Sequence, residues 1–344
     1  MKIRSQQPFA AGIIRSAAII LPLLLLMGCG GGASSTDKGA DSTATAPKVY
    51  GNGDLHVVGH KGDMHFETYG GEKAFNGAKF HFARDFFMGY APVSKMVNGK
   101  ELHGILNLKG EEAIKIEHEE FVDMYEDGYF RIGSMDKQGY LDSTGKLVIP
   151  MEYSGSNGVF GGLFVMKKGL KCGVLNTKAE EVVPFIYDKA YGYSEEGLMM
   201  VEQRYKCGFV DRTGKLVIPC TYESATSYEK GLAIARKGKK YGLIDVNNAT
   251  VSPFEYDEFK WETTSYEDKG SETGFINVGK RFICTGDYII LRKGDKWGVI
   301  DLKGQVLVPF EYDYVGGEEQ GGIMVGNGDK RGNFNFKTKE VKWH

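Results

Sequence analysis

Glycine recurs along this chain at Gly104, Gly139, Gly173, Gly208, Gly242, Gly298 and Gly332, at intervals of 35, 34, 35, 34, 56 and 34 residues. A unit of about 34 residues is too small to bury a core alone, so a chain with this period must stack like units against one another. Other positions keep step with the glycine. Three residues after it stands Asn107, Asp142, Asn176, Asp211, Asp245, Asp301 or Asn335. Eleven after it, Pro150, Pro184, Pro219, Pro253 and Pro309 occur; fourteen after it come His118, Tyr153, Tyr187, Tyr222, Tyr256 and Tyr312.

The residue types within a unit dictate its local structure. Asp142 with Gly145, Asp211 with Gly214 and Asp301 with Gly304 place an acid at the first turn position and glycine at the fourth, the pattern of a type I turn ending in a left-handed residue. Asn107 with Gly110 repeats it, and Asn248 fills the glycine place in its own unit, as Asn also tolerates that conformation. On either side lie short continuous apolar runs such as Leu147-Val148-Ile149 and Leu216-Val217-Ile218, which suit strands covered on both faces. A third run, Gly162 to Met166, leads into the next unit. The expectation is an all-β chain of three short antiparallel strands per repeat. The fixed place of the Asp or Asn before a turn glycine points to turn capping rather than acid–base chemistry. The recurring tyrosines read as packing between units, or, if exposed, as a ladder of rings for glycans or peptides.

These units resemble the WG repeats of bacterial proteins, whose signature is seen in full once, as Lys296-Trp297-Gly298-Val299-Ile300-Asp301. Elsewhere the tryptophan place holds His103, Gln138, Cys172, Cys207, Tyr241 or Arg331. The resemblance covers residues 104–344 and reaches back to Ala83-Arg84-Asp85-Phe86 and Gly89-Tyr90-Ala91-Pro92-Val93. It implies an interaction role with no established reaction. Six full units lie between two half-units, near 83–103 and at 332–344. An open, curved β-array with capping ends is the expected architecture. The alternative is seven-bladed, propeller-like closure, for which three strands in about 34 residues are lean.

One unit is longer by 22 residues, between Trp261 and Asp287. The insertion, at about 264–285, carries Tyr266, Phe275 and Phe282, rings that the repeat does not require. With Trp261 they are the candidate partner-binding residues, since insertions on repeat scaffolds project from one face and aromatic anchors dominate interfaces.

The first 28 residues combine Lys2, Arg4 and Arg15 with an apolar run from Ser16 to Met27, a signal-peptide pattern too short to span a membrane comfortably. Leu26-Met27-Gly28-Cys29 resembles the bacterial lipobox, which implies cleavage before Cys29 and lipid on its thiol. Residues 29–49 then form a flexible tether, residues 50–103 a cap with a degenerate first repeat, and residues 104–344 the repeat domain. The implied location is the bacterial cell envelope, anchored to a membrane. Without residues 1–28, 40 basic residues face 45 acidic ones, a net charge of −5 with no footprint for nucleic acid.

His56, His60, His65 and His81 precede the repeats without cysteine or carboxylate at a metal-ligand spacing, so no metal or cofactor is expected. Four cysteines follow Cys29: Cys172, Cys207, Cys220 and Cys284. Export permits disulfides, yet pairing Asp211 with Lys215 sets Cys207 opposite Pro219 and Cys220 on the other face, so small core residues are the simpler reading. No G-x-S-x-G, H-E-x-x-H or phosphate loop occurs. The function expected is a lipid-anchored, non-enzymatic surface that binds an unknown envelope or surface protein. Alternatives are a glycan-binding module using exposed aromatics and a hydrolase with its site in the insertion.

Overall fold

The Asp/Asn turns form as the residue types require. Oδ1 of Asp211 accepts from the backbone N–H of Thr213 (2.9 Å) and of Lys215 (3.1 Å), and from the Thr213 hydroxyl (2.6 Å). Asp142, Asp245 and Asp301 accept from the backbone two and four residues on in the same way. Asn107 and Asn176 do likewise, and each donates its amide to a glutamate four residues on, Glu111 (2.9 Å) and Glu180 (2.7 Å). An Asp there would set two carboxylates against each other, which explains Asn at these two positions of the series. The turn glycines Gly145, Gly214 and Gly304 have φ of +84°, +87° and +80°. Asn248 adopts +66° in the same place.

Beyond the turn, the two strands do not stay in simple register. Val210 pairs with Leu216 and Phe209 with Ile218, after which the ladder slips until Cys207 faces Tyr222. Cys207 is therefore not opposite Pro219, as uninterrupted pairing implies. The slip places surplus residues, among them Pro219 with its missing N–H, opposite the repeat glycine. A β-carbon on Gly208 would lie 2.4 Å from the Ile218 carbonyl oxygen, and one on Gly139 would lie 2.3 Å from that of Ile149. The strictest position of the repeat is thus glycine because the bulged neighbour crosses over it.

The computed structural model describes residues 50–267, 275–319 and 322–344. The leader, Cys29 and the whole tether lie outside the described residues. Among the described residues, seven four-stranded antiparallel sheets follow one another along the chain, so each has one strand more than the three expected. The fourth sheet shows the plan: Lys189–Tyr193, Leu198–Gln203, Lys206–Asp211 and Leu216–Tyr222. The additional strand is the short first one, entered directly after the repeat tyrosine and its neighbour. Each sequence repeat accordingly supplies the last two strands of one sheet and opens the next, so units interlock. The fifth sheet is Ser224–Ala225, Leu232–Lys237, Lys240–Asp245 and Thr250–Tyr256; the sixth is Glu258–Phe259, Tyr288–Lys293, Lys296–Asp301 and Val306–Tyr312. The helical element among the described residues is a single 3-10 turn, Phe75–Gly77.

Central strands are buried on both faces, as their continuous apolar runs require: Leu198 to Val201 and Cys207 to Val210 are buried throughout. One core cluster joins each neighbouring pair of sheets. Leu232, Ile234 and Leu243 of the fifth sheet meet Ile289, Leu291 and Ile300 of the sixth. Tyr288, Ile290 and Val299 on the sixth sheet's other face meet Ile323, Val325 and Phe334 of the seventh. The series is open. The first sheet turns Ala91, Val93 and Leu106 to Leu55 and Phe66 of an N-terminal hairpin, Leu55–His60 with Asp63–Thr68. The far face of the seventh sheet carries Gly322, Met324, Gly326, Arg331 and Asn333, where the sixth has Tyr288, Ile290, Arg292, Trp297 and Val299. Such a polar, glycine-rich outer face is what the end of a stacked array needs.

Candidate functional site

The repeat tyrosines are core residues. Tyr153, Tyr187, Tyr222, Tyr256 and Tyr312 are all buried. Tyr153 stacks on Phe185 of the following unit (5.7 Å between centroids) and Tyr222 on Phe254 (5.9 Å). They bind neighbouring units together and offer no exposed ladder. Four cysteines are free thiols, of which Cys172, Cys207 and Cys284 are buried; burial pushes the Cys284 thiol up to about 12. In the N-terminal region His65 pairs with Glu67 at 2.7 Å, and His81 lies 3.7 Å from Glu101.

Between the first and second strands of successive sheets, three connections converge on a cleft of about 680 Å³. Tyr193 to Glu196 come from the fourth sheet, Thr226 to Lys230 from the fifth, and Trp261, Arg281 and Phe282 from the feet of the insertion in the sixth. The connections are stapled to one another. Oε1 of Glu196 accepts from the Gly231 backbone N–H (2.6 Å), Arg281 pairs with Glu229 (2.9 Å), and Lys230 pairs with Asp287. Across the foot of the insertion the Thr285 hydroxyl donates to Glu262 (3.1 Å).

Two equivalent tyrosines form part of the lining. Tyr193 donates to the Asp211 carbonyl (3.3 Å) and Tyr228 to the Asp245 carbonyl (2.8 Å), each thereby fixed to the Asp turn of its own sheet. Burial pushes the Tyr193 phenol up to about 12 and moves Tyr228 in the same direction, so both remain neutral donors. Above them Trp261 is 46% exposed, its ring held against Phe259 at 5.0 Å between centroids.

The sequence-level candidates divide here. Trp261 stands in the cleft wall, half-exposed. Phe282, expected on a projecting loop, is instead 2% exposed and packs in the core with Leu232, Ile234 and Leu243. The reason is that the insertion ends before it: Phe282, Ile283 and Cys284 re-enter the sheet stack, so the projecting part stops at Arg281. Tyr266 and Phe275 lie on the two strands of a separate hairpin, Glu262–Glu267 with Phe275–Arg281. The cleft residues Ser194, Glu195, Glu196 and Glu229 escaped sequence reading because they occupy no repeated position. A signal was present: Ser194–Gly197 and Ser227–Gly231 stand at the same place in their units as the insertion does in its own.

A family model described as WG containing repeat matches residues 139–172, 173–207, 208–241 and 297–330. The chain contains four WG-type repeats. The four matches begin at or beside the repeat glycine, and their boundaries fall inside sheets rather than between them. No curated protein matches the chain. Among solved structures, it is similar to one titled "Crystal structure of the eukaryotic initiation factor", at 10% identity, with 85% of each chain covered and a TM-score of 0.39. It is also similar to the dihydro-heme d1 dehydrogenase NirN in complex with DHE, at 11% identity, covering 88% of this chain and 76% of that one, with a TM-score of 0.33. Apo AztD from Citrobacter koseri matches at 11% identity over 84% and 93% of the two chains, with a TM-score of 0.30. Likenesses this distant carry no argument about the WG-repeat chain's activity.

Proposed function

We propose that this WG-repeat chain is an exported protein, lipid-anchored through Cys29 in a bacterial envelope, whose array presents a non-enzymatic binding surface to another protein. A β-rich repeat array is compatible with a protein-binding module. The observation that carries the reading is the cleft below the insertion, where a half-exposed tryptophan stands on a scaffold that buries its repeat tyrosines. Aromatic rings left open at the rim of a rigid concavity are the usual anchors of protein interfaces. The basic leader, apolar run and Gly28-Cys29 junction support the anchor, and residues 29–49 supply a tether by composition. A glycan-binding module draws less support, because the five tyrosines that would line its groove are buried.

The test is capture of envelope proteins by the wild-type chain and by Trp261→Ala, which removes the half-exposed ring from the cleft wall, with circular dichroism confirming that the variant is folded. A partner retained by the wild type and lost by the variant supports the reading; equal capture by both overturns it. Anchoring is read separately, by fatty-acid labelling of the wild type and of Cys29→Ala. Labelling that survives the substitution overturns the lipid anchor.

A further inference from the structure

The charges of the cleft do not balance. Among its charged lining residues, Arg281 is paired with Glu229 and Lys230 with Asp287. The neighbouring Arg212 is engaged elsewhere: it donates to the Phe160 carbonyl (2.8 Å) and lies over the outer ring of Tyr193 at 4.9 Å. Two carboxylates, Glu195 and Glu196, are left without a cation among the described residues. Glu195 is exposed. Glu196 spends one oxygen on the Gly231 N–H; its Oε2, like Oγ of Ser194 two residues before, is shielded from solvent and has no hydrogen-bond partner. Such atoms call for a partner that the surrounding residues do not supply, whether a water, an ion or a ligand group.

The open wall complements this deficit. Trp261 presents the ring type that attracts cations most strongly, and Phe259 fixes its orientation. Carboxylates, an unmet hydroxyl and a tryptophan face together suit a group that is positive, donates several hydrogen bonds and has an apolar stem. The cleft volume exceeds what one side chain fills, so the flanking backbone can lie in it as well.

We infer that the cleft receives a lysine or arginine side chain carried on an extended segment of a protein partner. The inference rests on the protein-binding reading above and names the chemistry of its recognition. In the bound state the cationic head meets the exposed Glu195 carboxylate, with Glu196 adding its charge without direct contact, and its aliphatic stem lies along Trp261.

The full chain is titrated calorimetrically and by tryptophan fluorescence with blocked alanine pentapeptides whose central residue is lysine, arginine or citrulline. n-Butylammonium provides the free-amine arm. The lysine and arginine peptides should bind and the neutral citrulline peptide should not. Combining Glu195→Gln with Glu196→Gln should weaken binding on the order of tenfold or more, while Gln still accepts from Gly231. Trp261→Leu should remove the fluorescence response, with circular dichroism confirming that each variant is folded. Failure of both cationic peptides to bind, equal binding of the citrulline peptide, or unchanged binding by the double Gln variant overturns the inference. Binding of n-butylammonium as tight as that of the lysine peptide assigns the cleft to a free amine and also overturns it. If the double Gln variant still captures the wild-type chain's envelope partner, the protein-binding reading survives and the cation site alone is lost.

Discussion

Gly145 and Gly214 close the same turn in different units and differ only in their surroundings. Both have φ near +85°, but a β-carbon on Gly145 would meet nothing within 4 Å, whereas one on Gly214 would lie 2.0 Å from the Val182 carbonyl oxygen of the preceding unit. Ala179, at φ +60° in the equivalent place, shows that the conformation itself tolerates a methyl group. Gly145→Ala should therefore cost only ~1 kcal/mol by denaturant titration, and Gly214→Ala at least twice that, because backbone must move. Equal costs would show that the contact with Val182 is not a constraint. Glu126 offers a pH readout. Burial raises its pKa above the ordinary range, opposed by the Tyr140 hydroxyl that donates to it (3.0 Å). A carboxyl raised in the folded state contributes stability that is fully present below the unfolded pKa, about 4.3, and lost as pH rises through the folded value. Glu126→Gln, which keeps an acceptor for Tyr140, should raise Tm at pH 7 and lose that advantage near pH 4. A difference in Tm that does not change with pH would exclude burial of this charge as the cause.

At the scale of the element, the turns and the period were legible in the sequence because they depend on local chemistry. Asp before glycine, and Asn beside Glu111 or Glu180, specify backbone geometry within a few residues. The register was not legible. Its slip opposite Gly208 is decided between strands, and periodicity within one strand cannot reveal it. The short first strand of each sheet was also hidden, since Ser224–Ala225 or Glu258–Phe259 is too brief to show alternation. The cleft was read only at Trp261 and Phe282, because its other walls come from connections that neighbour one another only after the sheets stack. The end of the insertion was misplaced for the same reason: Phe282 and Ile283 look like loop residues until their burial against Leu243 and Ile289 is seen. Excising residues 264–280 should thus leave cooperative unfolding intact with Tm changed by several degrees at most. Phe282→Ala should cost about 3–5 kcal/mol. A mild effect of Phe282→Ala, measured by the same thermal melts, would return that residue to the projecting loop.

For the whole molecule, the open array makes a claim that closure would reverse. Val299 and Asn333 each follow the repeat glycine, in the sixth and seventh sheets. Val299 is fully buried against the seventh sheet, while Asn333 lies on the face with no sheet beyond it among the described residues. Interlocking makes the contrast sharper, because a charge forced between two sheets disrupts both, and they share one repeat. A lysine at the inner position must leave its ammonium unpaired among Ile290, Val308 and Val325, a burial that ordinary domain stability does not withstand. At the outer position the same side chain extends into solvent beside Arg331 and costs little. Val299→Lys should abolish cooperative unfolding, and Asn333→Lys should move Tm by no more than a few degrees. Were the seventh sheet packed against the first to complete a ring, Asn333→Lys would be as destructive as Val299→Lys, and paired melting curves of the two variants distinguish the architectures.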